Sequence, residues 1–276
     1  MLVGITIDEF KKFKPSFLLN IVNKLGLDFV EITETVFEDL PDVINTLGKI
    51  KTGFHLPNAG DSGYDFSSAA HQDNIEALIE SINQNHKALN IQYCLTHPPQ
   101  CNIANQSKSA IYGTLFTNLE RLEPPIIIEN IQSMSQEEFT AFYNEAKEAL
   151  GDKVIGQCFD AAHCYLRGDD PIEILNQLDG EIRSIHLSDC EAHKDSHLPF
   201  GLHGVLPIDD ILDAIKENQY DGIINLELLP RQSSHVKAVI NSYLTVVSKF
   251  DKRKYMMTRL RLFYHLPSLM KQFSKI

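Results

Sequence analysis

The chain is poor in the features that announce several large protein classes. Its five cysteines, Cys94, Cys101, Cys158, Cys164 and Cys190, are odd in number and form no CxxC pair. That fits reduced thiols in a cytoplasmic protein better than a disulfide framework. Cys94 and Cys158 stand in apolar runs and are expected in the core. No apolar run approaches the ~20 residues needed to cross a bilayer. The opening MLVGITIDEF has no basic stretch ahead of a long apolar one, so it does not read as a secretory signal. No GxGxxG follows the first strand candidate, and neither a Walker loop nor a nucleophile elbow occurs. This argues against dinucleotide, nucleoside-triphosphate and serine-nucleophile chemistry. Cys190 near His186 alone keeps a thiol nucleophile in view. Positive charge is scarce as well: the net charge is −12. A phosphate-backbone partner usually meets a basic face, so nucleic acid is not favoured, although bound cations would add positive charge where chemistry occurs.

What the chain does have is alternation. With 276 residues, 43% hydrophobic, it can bury a large core. Short apolar runs at Val3–Ile7, Phe29–Ile32, Thr52–His55, Ile91–Thr96, 126–128, Val154–Phe159, Ile182–Leu187 and Gly222–Leu226 read as strands. Amphipathic stretches lie between them: Phe17–Leu25, Asp42–Leu47, Gln72–His86, Ser107–Leu122, Gln136–Leu150, Pro171–Leu178, Ile208–Glu217 and His235–Val247. Gly26, Gly48 and Gly151 are placed to end helices. Eight strand–helix units predict an α/β fold, a (β/α)8 TIM barrel over residues 1–248. A doubly wound open sheet is the competitor.

Residues 249–276 fall outside this pattern. Eight basic residues against Asp251 give the segment about +7, which leaves about −19 on the rest. Leu262, Leu266, Leu269 and Phe273 recur at helical spacing. The segment is expected to be a basic amphipathic helix, either packed on the barrel or touching an anionic membrane surface, a nucleic acid or a partner chain.

The metal-capable residues fall in phase with the strand ends. His55, His97, Glu129, Asp160, His186 and Glu227 close the third to eighth strands. His163 follows Asp160 by three residues, and Asp195 and His197 lie in the loop after His186. In a β/α barrel these ends converge on one mouth, where active sites are built. Imidazoles and carboxylates so crowded need shared cations. A mixed N/O donor set suits Zn²⁺, Mn²⁺ or Fe²⁺, one to three per chain, better than Ca²⁺. Taken singly, each has a plainer reading as a loop hydrogen bonder, a salt-bridge partner or, for Asp160, a helix cap. Glu31 in FVEITE is expected to point into the mouth and bind substrate or metal. Asn130 is expected to orient Glu129 or touch substrate, Asp189 to orient a ligand histidine, and His203 to stand near the mouth as a substrate contact.

At FDAAH, at IHLSD, at the D-x-H-L-P-x-G segment Asp195–Gly201 and at Glu227 the chain resembles the xylose-isomerase-like barrels, over roughly residues 1–248. That group includes sugar-phosphate isomerases and epimerases and endonuclease IV. The epimerase resemblance implies one metal held by Glu129, Asp160, His186 and Glu227, the two glutamates acting as acid and base beside a carbonyl. The endonuclease IV resemblance implies three zinc ions: one on His55, His97 and Glu129, one on Glu129, Asp160, His186 and Glu227, and one on His163, Asp195 and His197. Where the family usually has Gly-Glu-Gly, this chain reads Gly201-Leu202-His203-Gly204. Long basic DNA-contacting loops are absent from residues 1–248.

Three readings follow. The first is a metal-dependent isomerase or epimerase of a small phosphorylated or polyol substrate, favoured by the acidic barrel. The second is a multi-metal phosphoester hydrolase, which uses every ligand. The third is a non-catalytic metal-binding barrel whose tail mediates assembly.

Overall fold

The computed structural model describes residues 1–8, 13–57, 63–99, 107–178, 180–230, 232 and 235–273, without side chains for 266–273. Cys101, Lys275 and the side chains of Leu266, Leu269, Lys271 and Phe273 lie outside the described residues. Among the described residues, eight parallel strands close into a barrel: β1 (Leu2–Ile7), β2 (Phe29–Ile32), β3 (Lys51–His55), β4 (Ile91–Thr96), β5 (Ile126–Glu129), β6 (Val154–Asp160), β7 (Ile182–His186) and β10 (Ile223–Leu226). Closure pairs Leu2 of β1 with Ile223 of β10. The open-sheet alternative is thereby excluded.

Helices cover the barrel where the amphipathic stretches predicted them: α1 (Pro15–Leu25), α2 (Leu40–Leu47), α3 (Gln72–Asn85), α4 (Lys108–Glu120), α5 (Gln136–Leu150), α7 (Pro171–Gln177), α8 (Ile208–Glu217) and α9 (Val236–Phe250). Local chemistry sets their ends. Pro15 opens α1, and Gly26 closes it at φ 76°, a conformation that only glycine adopts cheaply. Ser135 and Glu138 form a reciprocal capping box on α5.

Two elements depart from expectation. Ala161–Arg167 is a short helix, α6, that the apolar periodicity did not announce. It starts there because the Asp160 side chain caps it, accepting the His163 N–H. The segment expected as a loop after His186 is an antiparallel hairpin, β8 (Asp189–Glu191) with β9 (Lys194–Leu198). Asp195 and His197 lie where β9 shifts register against β8, with His197 at φ 45°, and this irregular backbone brings Asp195 Oδ2 to 3.3 Å from His197 Nε2.

The interior is layered. Alternation along the strands sends Val30, Ile32, Phe54, Ile126, Ile128, Phe159 and Ile185 outward into the main core beneath the helices. Phe29, Tyr93, Leu95, Ile127 and Cys158 form a separate apolar cluster inside the barrel. Gly53 makes room for it, since a Cβ there would come within 2.6 Å of the Tyr93 ring. The next inward position toward the C-terminal ends is polar on strand after strand: Glu31, His55, Glu129, Asp160 and His186, with Asn225 on β10. Cys94, Cys158, Cys164 and Cys190 are free and buried. Burial pushes the Cys190 thiol up to about 12, so it is not a nucleophile at neutral pH.

The final helix, α10 (Lys252–Phe273), packs against α1 and α9. Thr258 and Leu262 are buried there, Lys254 pairs with Asp28, and the Arg261 guanidinium donates to the Leu25 carbonyl. No helix of the described residues is long and apolar enough to cross a membrane.

Candidate metal centre

The C-terminal strand ends bring eight of the nine ligand candidates around one carboxylate or its immediate neighbours. Glu129 Oε2 lies 3.0 Å from His97 Nε2 and 3.8 Å from His55 Nε2. Glu129 Oε1 lies 3.4 Å from His186 Nδ1 and 3.5 Å from His163 Nδ1. Glu227 Oε2 is 2.8 Å from the same His186 Nδ1. Four compact donor groups result among the described residues, each with its atoms within 4.8 Å of one another: Glu31, His55 and His186; Glu129, Cys158 and His186; and two made wholly of the predicted ligands, His55, His97 and Glu129, and Glu129, Asp160, His186 and Glu227. Glu129 belongs to both of the last two and can bridge them.

The ninth candidate, Asp195, organises a looser trio. Its Oδ2 is 3.0 Å from His163 Nε2 and 3.3 Å from His197 Nε2. This trio is not among the compact groups.

Three of the histidines are held so that a lone pair faces inward. His186 Nε2–H donates to Glu31, 3.0 Å from Oε1, which leaves Nδ1 toward Glu129 and Glu227. His55 Nδ1–H donates to the Leu56 carbonyl at 3.1 Å, leaving Nε2 toward Glu129. His163 Nδ1–H donates to the Asn130 carbonyl at 2.7 Å, leaving Nε2 toward Asp195. Outer hydrogen bonds of this kind fix the tautomer of metal-binding histidines.

The donor set fits a divalent transition metal. Both oxygens of Glu129, Asp160 Oδ2, Asp195 Oδ1 and the Nδ1 atoms of His186 and His197 are buried without a hydrogen bond among the described residues. Polar atoms in that condition cost free energy unless a cation satisfies them. Asp160 illustrates the division of labour: one oxygen caps α6 while the other is left for the cluster.

Left to one another, the groups share charge. Burial opposes protonation of His186, but Cys158 and the carboxylates Glu31, Glu129 and Glu227 raise its pKa well above the usual imidazole range. Burial would raise Glu129, yet His186 and His97 hold it well below the ordinary carboxylate range. Burial, with Glu129 and Asp195 nearby, pushes Asp160 up to about 6 against the pull of His163. Glu227 is half-buried, which would raise it, yet His197 and His186 lower it.

A cavity of about 260 Å³ opens onto the cluster, lined by His55, His97, Glu129, Ile131, Gln132, Ser133, His163, Asp195, His197 and Glu227. That is slightly below the usual ~300–1,000 Å³ of small-molecule sites, room for a small substrate only. Four sequence expectations need correction. Glu31 does not line the cavity and so is not a substrate contact there, although with His55 and His186 it forms a group that could hold a metal ion. It is fully buried behind His186, where Tyr93 and Asn225 also donate to it. Asn130 faces away: its amide bonds both the N–H and the carbonyl of Asp160, so it sets the end of β6 and not Glu129 or a substrate. His203 is exposed, at φ 64°, and is not part of the cavity wall. Asp189 likewise orients no histidine, its Oδ1 accepting the N–H groups of Cys190 and Leu206. The wall residues Ile131, Gln132 and Ser133 had no signal in the sequence beyond following Glu129.

Because Glu31 fixes His186, Glu31→Gln is expected to weaken metal binding by ~10–100-fold while the barrel stays folded. Titration calorimetry with Zn²⁺ or Mn²⁺ measures it. Unchanged affinity would leave Glu31 as packing only.

The family model for the xylose isomerase-like TIM barrel matches residues 19–242, and the chain belongs to that family. It is 28% identical over 109 residues to the uncharacterized protein MJ1311 of Methanocaldococcus jannaschii, covering 38% of this chain and 36% of that one. It is 39% identical over 87 residues to inosose dehydratase of Lacticaseibacillus casei, covering 25% and 28%. These alignments thus span about a third of the relatives' own lengths. In three dimensions the barrel resembles a D-tagatose 3-epimerase-like protein (TM-score 0.64, 18% identity, 90% of this chain and 99% of that one). It also resembles the IolI protein with a bound zinc atom (0.65, 20%, 91% and 99%) and an AP endonuclease, family 2, from Brucella melitensis (0.64, 12%, 91% and 99%).

Proposed function

We propose that this chain is a divalent-metal-dependent enzyme that moves a proton at the carbon beside a carbonyl of a small sugar or sugar phosphate. One observation carries the reading: of the four-donor group, only Glu129 and Glu227 line the cavity, while Asp160 and His186 stand behind them. Two carboxylates thus face whatever enters. A divalent cation held by Glu129, Asp160, His186 and Glu227 would polarise the substrate's carbonyl oxygen and stabilise the charge that develops on it. Glu227, kept ionised by His197 and His186, is the base that takes the proton. Glu129, across the same group, is the second carboxylate, and it would deliver a proton only after first taking one from solvent or substrate. His163, Asp195 and His197 orient hydroxyl or phosphoryl groups at the cavity wall. The likeness to sugar epimerases and to part of inosose dehydratase supports a sugar or polyol substrate, and the zinc in IolI supports a transition metal. The buried free thiols suit a cytoplasmic enzyme.

A second reading, a multi-metal phosphoester hydrolase, is favoured by the five further ligand candidates on the same wall: His55, His97, His163, Asp195 and His197. One experiment separates the two. Protein purified without chelator is analysed for metal, then incubated in D₂O with D-tagatose, D-fructose or inosose and followed by NMR. Deuterium entering the carbon beside the carbonyl, lost on chelation, is the expected result. No exchange, with two or three tightly held metal ions and cleavage of bis(p-nitrophenyl) phosphate, would replace it with the hydrolase.

A further inference from the structure

The outward face of α10 has no role in the barrel or its metal centre. The helix docks through Thr258 and Leu262. At ~100° per residue, Met256, Leu260 and Phe263 then lie on the opposite side. They are exposed: Met256 to 63%, Leu260 to 49% and Phe263 to 77%. Tyr264 and Met257, beside them, are 69% and 46% exposed. Large apolar side chains gathered in one exposed ridge mark a surface that something covers.

Charge says what kind of cover it is. Lys252 and Arg259 fall along one edge of the ridge and Arg253 along the other, all exposed. From Lys252 to Ile276 the sequence has no Asp or Glu. Of the acids near the helix, Asp28 pairs with Lys254, Asp251 accepts the Lys254 N–H, and Asp213 pairs with Lys249 of α9. We propose that this face of α10 docks on an anionic lipid surface, lying in the interface with Met256, Leu260 and Phe263 among the acyl chains and Lys252, Arg253 and Arg259 at the headgroups.

Apolar centre and basic rims together are the signature of a helix that lies in the membrane plane. A nucleic acid would engage the rims and leave the ridge wet. A second copy meeting through the same face would set its basic rims against their own kind. The net negative charge of the rest of the chain does not cancel the basic rims where it lies more than ~8 Å away, because charges at that distance are screened at physiological salt. The contact would bring a small-molecule enzyme to a bilayer without burying its cavity residues, none of which is on α10.

The chain has no tryptophan, so Phe263→Trp supplies a single tryptophan on the ridge, excited selectively away from tyrosine absorption. Added vesicles of phosphatidylglycerol and phosphatidylcholine should blue-shift its emission, and vesicles of phosphatidylcholine alone should not. The unmodified chain should float with the first and not the second. Leu260→Glu, or Arg253→Glu with Arg259→Glu, should weaken binding at least tenfold, with thermal midpoint and metal content unchanged, and raised salt should release the protein. No binding to the anionic vesicles overturns the proposal, as does equal binding to both. A dimer by sedimentation that Leu260→Glu dissolves makes a second copy the occupant instead, and retention of RNA that the arginine variant abolishes makes it a nucleic acid.

Discussion

Glu129→Gln is expected to remove most of the bound metal and to lower turnover by ~10³-fold or more, without unfolding the barrel. The carboxylate is the member common to the two compact donor groups made wholly of predicted ligands, contacting His97 on one side and His186 on the other. Glutamine keeps the shape and the carbonyl oxygen. It loses the negative charge and presents an N–H₂ to atoms that should bind a cation. Glu227→Gln makes the useful contrast, because Glu227 belongs to the four-donor group alone. It should cost ~10²–10⁴ in rate, the usual worth of a positioned acid or base. It should spare any ion on His55, His97 and Glu129. Metal content by plasma emission, circular dichroism and the deuterium-exchange rate read the two variants together. A Glu227→Gln variant with full metal content and undiminished exchange would remove Glu227 from the mechanism.

Stripping the metal should lower the thermal midpoint by about 10 °C, and returning Zn²⁺ or Mn²⁺ should restore it. The donors come from β3 to β7 and from the residue after β10, so only the folded chain assembles them. Binding to the folded state alone stabilises it by ~4 kcal/mol when the free ion stands at a thousand times its Kd. For a chain of this length each kcal/mol shifts the midpoint by ~2–4 °C. The direction follows from the buried unpaired atoms of Glu129, Asp160 and His186, which remain costly until a cation satisfies them. Calorimetry with and without chelator is the measurement. An unchanged midpoint, with no metal taken up on reconstitution, would set aside the metal-dependent reading altogether.

Much of this molecule was legible in its sequence. Alternating apolar runs and amphipathic stretches give a β/α series because period-2 and period-3.6 patterns bury one face each. Once the strands were placed, the two-residue repeat put His55, Glu129, Asp160 and His186 at the inward-facing C-terminal ends. Helix ends were readable too, as with Gly26 after α1 and Gly151 after α5.

Tertiary structure decided what those residues do to one another. Glu31 looked like a mouth residue, but closure of the barrel sets it behind His186, 155 positions away in the chain, and makes it an orienting partner. Asn130 looked like a neighbour of Glu129, but the β5–β6 register turns its amide onto the backbone of Asp160. Asp195 and His197 came within reach of each other only through the irregular β8–β9 pairing, which leaves no strong periodic trace in so short a hairpin. Periodicity assigns a side chain to a face, inward or outward. Distances of 3 Å between residues from different strands depend on strand order and register, which are set by the packing of the whole barrel.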